Sequence, residues 1–210
     1  MVMNIAILSG GRTEGNDFHK NVLRSSDIII CADGGANNAE ILGIRPDYII
    51  GDMDSVKPEI LEKFEKDSVK IIRDGNQDKT DTELAIELAI SLNPKKITLL
   101  GCIGSRFDHT IANVLSLDKI SEGIDAAIAD DKNEIRLLKG GVLNIFGTKN
   151  DIISVIPLTE VKELNYEGLK WAVNRRDFGF GWFGISNRMT GNEAKVSVEK
   201  GKILVIKSRD

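Results

Sequence analysis

The hydrophobic positions of the chain follow two patterns, and the change between them falls near residue 131. In the first part, short runs of Ile, Val, Leu and Ala alternate with segments of helical spacing. These runs lie at 5–8, 28–32, 48–51, 69–72, 97–100 and 126–129. Near-continuous apolar runs of this length are typical of strands that are buried on both faces, as in parallel sheets. The pattern therefore predicts an α/β domain over residues 1–131 with a doubly wound, mostly parallel sheet.

Three segments between these runs have the spacing of amphipathic helices. They lie at 59–66, 80–92 and 108–120. The second opens with Thr80-Asp81-Thr82-Glu83, which has the form of a capping box. We therefore expect a helix to begin at this point.

After residue 131 the pattern is that of short strands only. Strand-like runs lie at 135–138, 142–146, 152–157, 164–166, 194–198 and 203–206, with glycine clusters between them. No helical spacing is present in this part. It predicts a small all-β sandwich or barrel domain over residues 132–210, with the junction at 130–133.

The composition of the chain bears on two questions: which classes of partner it could bind, and in which cellular compartment it lies. The 210 residues carry a formal net charge of −4, with a pI near 5.4, which argues against a nucleic acid or an anionic membrane as partner. No apolar run approaches the ~20 residues that span a bilayer, and no basic segment of a signal peptide precedes the first strand-like run. Cys31 and Cys102 are isolated, without CxxC spacing. We expect reduced, buried cysteines and a cytoplasmic protein.

Four polar segments lie where an apolar run gives way to a helix-like run. They are Asp33-Gly34-Gly35-Ala36-Asn37, Gly51-Asp52-Met53-Asp54-Ser55, Gln77-Asp78-Lys79-Thr80-Asp81 and Gly104-Ser105-Arg106-Phe107-Asp108-His109. In an open α/β sheet such junctions face one edge, where ligands bind. We therefore expect aspartates, an arginine and glycines to converge there, as needed to hold a hard cation and a polyphosphate.

The aspartates are the candidate metal ligands. Asp52 and Asp54 are two residues apart, so both carboxylates can face one cation from a strand end or a tight turn. A turn with a helix cap explains the same pair without a metal. Asp78 and Asp81 lie around the start of the predicted helix, where the helix dipole alone favours acidic residues.

Arginine and glycine supply the candidate phosphate contacts. Arg106 follows a glycine-containing segment and precedes a helix, which suits a bidentate phosphate clamp. A surface pair with Asp108 is the alternative. The Asp33-Gly34-Gly35 turn leaves room for a nucleotide, or is simply a tight turn. Ser9-Gly10-Gly11 is a weaker phosphate-loop candidate, without GxGxxG or Walker A spacing.

In the β part, Gly184-Ile185-Ser186-Asn187 is expected to form a small polar turn beside an aromatic segment. The aromatic residues are Trp171, Phe180, Trp182 and Phe183. They form either the core or a dimer contact, or else an aromatic wall for a flat, cationic ligand.

Taken together and in this order, the four junction segments, Pro46-Asp47 and Ser186-Asn187 resemble the thiamin pyrophosphokinase (thiamin diphosphokinase) family. The resemblance covers nearly the whole chain, including the order of α/β and β parts. The chain departs from the family at Gly184-Ile185-Ser186-Asn187-Arg188, where Gly-Thr-Ser-Asn-Glu is common. The segment 175–183 matches nothing in the family pattern.

The resemblance implies transfer of diphosphate from ATP to the hydroxyl of thiamin, with attack at the β-phosphorus, giving thiamin diphosphate and AMP. It implies Mg²⁺ held by Asp52, Asp54 and Asp81, and catalytic roles for Asp81, Arg106, Asp108 and Gln77. Asp108 either orients Arg106 or acts as a base, and Gln77 donates to a phosphate oxygen. The residues expected to bind ATP or thiamin are Asp33, Gly34, Gly35, Asn37, Asp78, Arg106, Ser186 and Asn187. The family implies a homodimer whose active sites are shared between chains, so that Ser186 and Asn187 meet thiamin across the subunit boundary.

Two other functions fit parts of the pattern. A glycosyltransferase uses a DxD motif to hold a metal and a nucleotide sugar, but this does not explain the separate β domain. A non-catalytic nucleotide sensor would keep the phosphate-binding residues and lack the acceptor site.

Overall fold

The computed structural model describes residues 3–13 and 17–209 of the chain. Contacts divide the chain into two compact units, Met1–Asp131 and Lys132–Asp210. The first is an α/β unit and the second is built from strands, so the predicted fold class is confirmed. None of the helices in the described parts combines the length and the apolar character needed to cross a membrane.

The first unit contains a parallel sheet of six strands within the described residues. They are β1 (Asn4–Leu8), β2 (Ile28–Ala32), β3 (Tyr48–Gly51), β4 (Lys70–Arg73), β5 (Lys96–Leu100) and β6 (Asp125–Ala129), in the spatial order β6-β5-β1-β2-β3-β4. Side chains pointing to both faces are buried, with Ile5 and Ile7 on one face and Leu8 and Cys31 on the other. Burial on both faces explains why these strands read as continuous apolar runs.

Helices connect these strands. They are α1 (Asp17–Arg24), α2 (Gly35–Leu42), α3 (Pro58–Lys66), α4 (Asp81–Ser91) and α5 (Phe107–Ser116), with a 3₁₀ turn at Leu117–Lys119. The predicted capping box opens α4. The Thr80 side chain accepts from the Glu83 N–H, and the Glu83 carboxylate accepts from the Thr80 N–H. This fixes where α4 begins and thereby places Asp81 in its first turn.

The second unit is an antiparallel sandwich. Its strands are β7 (Asn133–Leu138), β8 (Gly141–Phe146), β9 (Ile152–Pro157), β10 (Val161–Glu167), β11 (Arg176–Phe178), β12 (Gly184–Arg188), β13 (Glu193–Val198) and β14 (Ile203–Ser208). One layer has the order β12-β9-β14-β7 and the other has the order β11-β10-β13-β8. Alternate residues of both layers, among them Ile153, Leu164 and Val196, share one core.

Three glycines let the loops at the carboxyl ends of the parallel strands pack backbone to backbone. A Cβ at position 35 would lie 1.8 Å from the Leu8 carbonyl oxygen. At position 11 it would lie 2.3 Å from the Gly101 carbonyl oxygen, and at position 101 it would lie 2.4 Å from that of Ser9. Only glycine permits these approaches, and they bring the ends of β1, β2 and β5 together.

Candidate active site

A group of three aspartates lies at the carboxyl edge of the parallel sheet. Asp33 directly follows β2, and Asp52 and Asp54 lie in the loop after the neighbouring strand β3. Carboxylate oxygens from these three residues lie within 4.8 Å of one another. Asp33 is buried, whereas Asp52 and Asp54 are exposed. The predicted convergence of acidic side chains at this edge is thus observed.

The backbone between the two exposed aspartates is in a left-handed conformation. Met53 has φ 68°, and its side chain is buried in the core below the loop. Asp52 Oδ1 accepts from the Asp54 N–H at 3.1 Å, and the Ser55 hydroxyl donates to Asp54 Oδ1 at 2.7 Å. Asp33 also has a positive φ, of 40°. Non-glycine residues rarely adopt this region, so two of them beside the same group of carboxylates mark a loop conformation that the surrounding structure enforces.

Asp81 borders this group from the start of α4. A Cβ on Gly51 would lie 2.6 Å from Asp81 Oδ1 and 2.9 Å from Asp33 Cβ, so glycine at position 51 lets these two aspartates approach the strand end. From the sequence, Asp33 was expected to contact the nucleotide and Asp81 to hold the metal. The structure groups Asp33 with Asp52 and Asp54, and Asp81 lies beside them.

Burial and mutual repulsion disfavour the charged forms of the two less exposed aspartates. For Asp33, burial raises the pKa; the polar groups of the Ser55 side chain and the Gly34 backbone oppose this, and the charges of Asp54 and Asp52 add to it. For Asp81, burial and then the charges of Asp33 and Asp52 raise the pKa to about 6. Asp33 Oδ1 is buried and has no hydrogen-bond partner among the described residues. A hard cation would relieve all of these costs, so the donor set fits Mg²⁺.

The first turns of α2 present two asparagine side chains to the loops beside them. Asn37 Nδ2 donates to the Ser55 carbonyl at 2.8 Å, and its Oδ1 accepts from the Lys57 N–H at 3.0 Å. Asn38 Nδ2 donates to the carbonyls of Ser9 and Gly11, each at 2.9 Å. The side-chain amide of Asn37, which was predicted to bind the nucleotide, is therefore engaged by the loop that carries Asp52 and Asp54.

Gln77 and Asp78 lie in an exposed turn between β4 and α4. The Asp78 N–H donates to Asn76 Oδ1 at 2.9 Å, and the Asn76 N–H donates to Asp74 Oδ1 at 3.0 Å. These bonds shape the turn through its backbone. They leave the Gln77 and Asp78 side chains at the surface, outside the group of three aspartates.

Arg106 and Asp108 form an exposed pair at the start of α5. The Arg106 guanidinium donates through Nε at 3.3 Å and through Nη2 at 2.5 Å to the two carboxylate oxygens of Asp108. The surface pair that the sequence left open as an alternative is therefore present. The hydrogen bond from Arg106 lowers the pKa of Asp108, which makes this carboxylate a weak base.

In the β unit, Asn187 is buried and Ser186 is exposed. Asn187 Oδ1 accepts from the Trp171 N–H at 3.0 Å, and its Nδ2 donates to the Trp171 carbonyl at 2.7 Å. Ser186 has φ 61°, and its N–H donates to Ser154 Oγ at 3.1 Å. The buried amide thus anchors Trp171, while the Ser186 side chain lies at the surface.

The aromatic residues divide between packing and exposure. Trp182 stacks on Phe178 with ring centroids 3.8 Å apart and packs against the β core. Trp171, Phe180 and Phe183 are exposed, at 54%, 80% and 59% of their surface. Exposed aromatic rings are available for a flat ligand or for a partner chain.

Residues 19–128 match the family model described as thiamin pyrophosphokinase, catalytic domain. Residues 135–203 match the model described as thiamin pyrophosphokinase, vitamin B1 binding domain. The chain belongs to the thiamin pyrophosphokinase family. The family and the enzyme class predicted from the sequence are thereby confirmed.

Named relatives in this family span most of the chain. It is 30% identical over 173 residues to thiamine pyrophosphokinase of Bacillus subtilis, covering 80% of this chain and 81% of that protein. It is 28% identical to thiamine pyrophosphokinase 1 of Arabidopsis thaliana, covering 84% and 75%. The crystal structure of the Bacillus subtilis enzyme superposes with TM-score 0.88 at 26% identity, covering 99% of both chains. That of Geobacillus thermodenitrificans gives 0.87 at 26% identity, covering 99% and 98%.

The two residues of the 184–188 segment that were expected to depart from the family pattern lie on β12. The Ile185 side chain is exposed. The Arg188 Nη1 donates to the Asn150 carbonyl at 3.2 Å. Sequence reasoning also missed Asn38 and Ser154, because a hydrogen bond to a distant loop leaves no local pattern in the sequence.

Proposed function

We propose that the protein transfers diphosphate from ATP to the hydroxyl of thiamin, giving thiamin diphosphate and AMP. The observation that carries this proposal is the group of Asp33, Asp52 and Asp54 at the carboxyl edge of the sheet. Because the chain matches both domain models of the family, we assign this group as the binding site for a metal–polyphosphate complex.

The residues proposed to hold Mg²⁺ are Asp52, Asp54 and Asp81, together with Asp33, whose buried oxygen lacks a protein partner among the described residues. Bound there, Mg²⁺ would neutralise phosphate charge and orient the phosphates for attack. Transfer of this type depends mainly on positioning and on charge stabilisation.

The remaining residues of the α/β unit are proposed to bind and orient ATP. Gly34 and Gly35 keep the turn after β2 free of side chains, so a nucleotide can approach its backbone. Gln77 and Asp78 contact the phosphates or their metal from the turn before α4. Arg106 binds the moving diphosphate in exchange for, or in addition to, its bond with Asp108. The lowered pKa of Asp108 favours orientation of Arg106 over the role of base.

The β unit is proposed to bind thiamin through the exposed Ser186 side chain and the exposed face of Trp171. Asn187 would act by holding Trp171 in place, since its amide is bonded to that residue's backbone. A flat, cationic heterocycle suits an aromatic face.

We further propose a homodimer in which the α/β unit of one chain faces the β unit of the other. Residues 1–131 carry a formal charge of −9, and residues 132–210 carry +5. Such opposite charges favour contact between unlike units of two chains. Phe107, Ile111 and Leu115 form an exposed apolar stripe along α5 that such a contact would cover.

The deciding experiment is chromatography of a reaction containing ATP, Mg²⁺ and thiamin. Thiamin-dependent formation of AMP and thiamin diphosphate is expected. ADP with thiamin monophosphate would place the attack at the γ-phosphorus and overturn the proposal. Nucleotide binding without thiamin-dependent turnover would instead indicate a sensor, and release of a nucleoside diphosphate from a nucleotide sugar would indicate a glycosyltransferase.

A further inference from the structure

Two consecutive asparagines on α2 anchor two different loops of the candidate site. Asn37 and Asn38 have the same side chain and lie in the same part of the helix, but they bond to different loops. Asn37 bonds to the loop after β3, and Asn38 bonds to the loop after β1. Each makes two hydrogen bonds to loop backbone, at 2.8–3.0 Å. Neither pair of bonds serves the helix itself.

Asn37 anchors the loop that carries the exposed aspartates. Its amide bonds to Ser55 and Lys57, the residues on both sides of the buried Val56. The anchor thus lies directly after Asp54, before α3 begins. On the other side of Asp54, the buried side chain of Met53 holds the loop against the core.

Asn38 anchors the Ser9-Gly10-Gly11 loop after β1. It bonds to the carbonyls of the first and last residues of that loop. The same loop is fixed by backbone bonds from Gly11 to Gly101 and from Arg12 to Ile103. This loop has no acidic side chain, so its chemistry suits a phosphate and not a cation.

The aspartate loop needs its anchor more than most loops do. Its central residue Met53 holds a left-handed φ that a non-glycine residue adopts only when its surroundings enforce it. Three like charges within 4.8 Å repel one another and favour spreading of the loop. Two hydrogen bonds from a helix side chain oppose both tendencies.

We propose that Asn37 is a positioning residue for the divalent cation, acting through the backbone of the aspartate loop, and that Asn38 positions the glycine loop for the phosphates. The inference rests on the proposed function, because it assumes that this group holds Mg²⁺. It assigns the adjacent asparagines separate tasks, one for the cation and one for the nucleotide.

The test compares Asn37→Ala with Asn38→Ala, since each variant removes two hydrogen bonds between the α2 side chain and a loop backbone. The first readout is the MgCl₂ concentration that gives half of the thermal stabilisation without nucleotide. Asn37→Ala should raise it by about tenfold or more, as loss of supporting bonds around a metal typically does, and Asn38→Ala by less than about threefold. The second readout is the ATP KM at saturating Mg²⁺, which Asn38→Ala should raise by about three- to tenfold.

Equal Mg²⁺ midpoints for Asn37→Ala and the wild type would overturn the inference while leaving the metal site intact. Equal increases in both alanine variants would also overturn it, because the effect would then be a general loss of structure. No stabilisation of the wild type by MgCl₂ would remove the metal site itself, and the inference with it.

Asn37→Asp provides a variant of the same size should Asn37→Ala fail to fold. It keeps the acceptor for the Lys57 N–H and removes the donor to the Ser55 carbonyl. It also adds a negative charge near the cation. A positioning role predicts weaker Mg²⁺ binding despite that charge, whereas unchanged or tighter binding would overturn the inference.

Discussion

The carboxylate of Asp108 accepts two hydrogen bonds from the guanidinium of Arg106, two residues before it at the start of α5. The pair is exposed, so its contact is reached from solvent without opening the core. Under the proposed function, Asp108 would keep the arginine oriented before phosphates bind.

Arg106→Ala should lower kcat by two orders of magnitude or more, because charge shifts onto the transferred group during the reaction. Asp108→Asn should lower kcat by less than about tenfold if this residue only orients the arginine, compared with about 10²–10⁴ for loss of a general base. Steady-state kinetics over a range of pH distinguishes the two roles. A loss above a hundredfold in Asp108→Asn, with a changed pH profile, would assign Asp108 as the base.

Asp52→Asn and Asp54→Asn should each abolish turnover while the protein stays folded. Both side chains are exposed, so their charge contributes to cation binding far more than to packing. Activity as a function of MgCl₂ concentration, with circular dichroism for the fold, checks this. Asp67→Asn at the end of α3 is the matched control and should behave as wild type. Near-normal activity of both variants at limiting Mg²⁺ would contradict the metal assignment.

Asp81→Asn should stabilise the metal-free protein at neutral pH. The folded-state pKa of Asp81 is raised to about 6, so its proton is held more tightly in the folded state than in the unfolded state. The stability gained from that proton is therefore complete below about pH 4 and is lost as the pH rises through 6. Allowing for solvent screening, the loss is of the order of 1–2 kcal/mol, or a few degrees in Tm.

Thermal unfolding in EDTA at pH 4 and at pH 8 measures this effect. The variant should melt above the wild type at pH 8 and together with it at pH 4. Added MgCl₂ should raise the Tm of the wild type more than that of the variant. A variant that melts below the wild type in EDTA at pH 8 would mean that Asp81 stabilises α4 more than repulsion destabilises it.

Ser186→Ala and Asn187→Ala should separate acceptor binding from structure. Loss of one hydrogen bond at the exposed Ser186 should raise the thiamin KM by an amount worth about 0.5–1.5 kcal/mol, with the ATP KM and the Tm unchanged. Asn187→Ala should also lower the free energy of unfolding, by about 1–3 kcal/mol, because the N–H and carbonyl of Trp171 lose the buried amide that they bond to. Equal Tm losses in the two variants would argue against this division.

Mixing Arg106→Ala with the double variant Ser186→Ala, Asn187→Ala should restore activity if the sites are shared. Each mixed dimer then contains one composite site with both intact halves. Subunit exchange must first be verified by mass spectrometry of differently tagged chains. Exchanged heterodimers without recovery would place the acceptor residues and Arg106 of one site in the same chain.

The fold was predictable from the sequence wherever burial produces a regular pattern of apolar residues along the chain. The parallel strands read as continuous apolar runs because both of their faces are covered, and the capping box fixed the start of α4. The helix α1 was not predicted, and for α2 only a helix-like run after the Asp33–Asn37 segment was expected, without bounds. α2 begins Gly-Ala-Asn-Asn, with little apolar spacing, and Gly35 lies against the backbone of β1. The short strands β11 and β12 lie in the aromatic segment and the turn after it, where no alternation is visible.

The acidic side chains of the site were predictable from their position after strands, but their grouping was not. Whether Asp33 or Asp81 joins Asp52 and Asp54 depends on left-handed turns at Asp33 and Met53, neither of which is glycine. The hydrogen bonds of Asn37 and Asn187 to loop backbone were equally unpredictable from the sequence. From the sequence alone, a polar residue in a binding motif is predicted to contact the ligand, because its hydrogen bond to a distant loop is visible only in the structure.

The contact between Gly35 and Leu8 joins two stretches of main chain, and no side chain takes part in it. A clash there cannot be relieved by a change of rotamer, since neither partner has one to change. In a saturation library, position 35 should tolerate no substitution, even conservative Ala. The neighbouring position 10, where a Cβ would meet nothing closer than 3.5 Å, should accept small residues. Two glycines that lie close together at this edge of the sheet should therefore differ sharply in the substitutions that they tolerate.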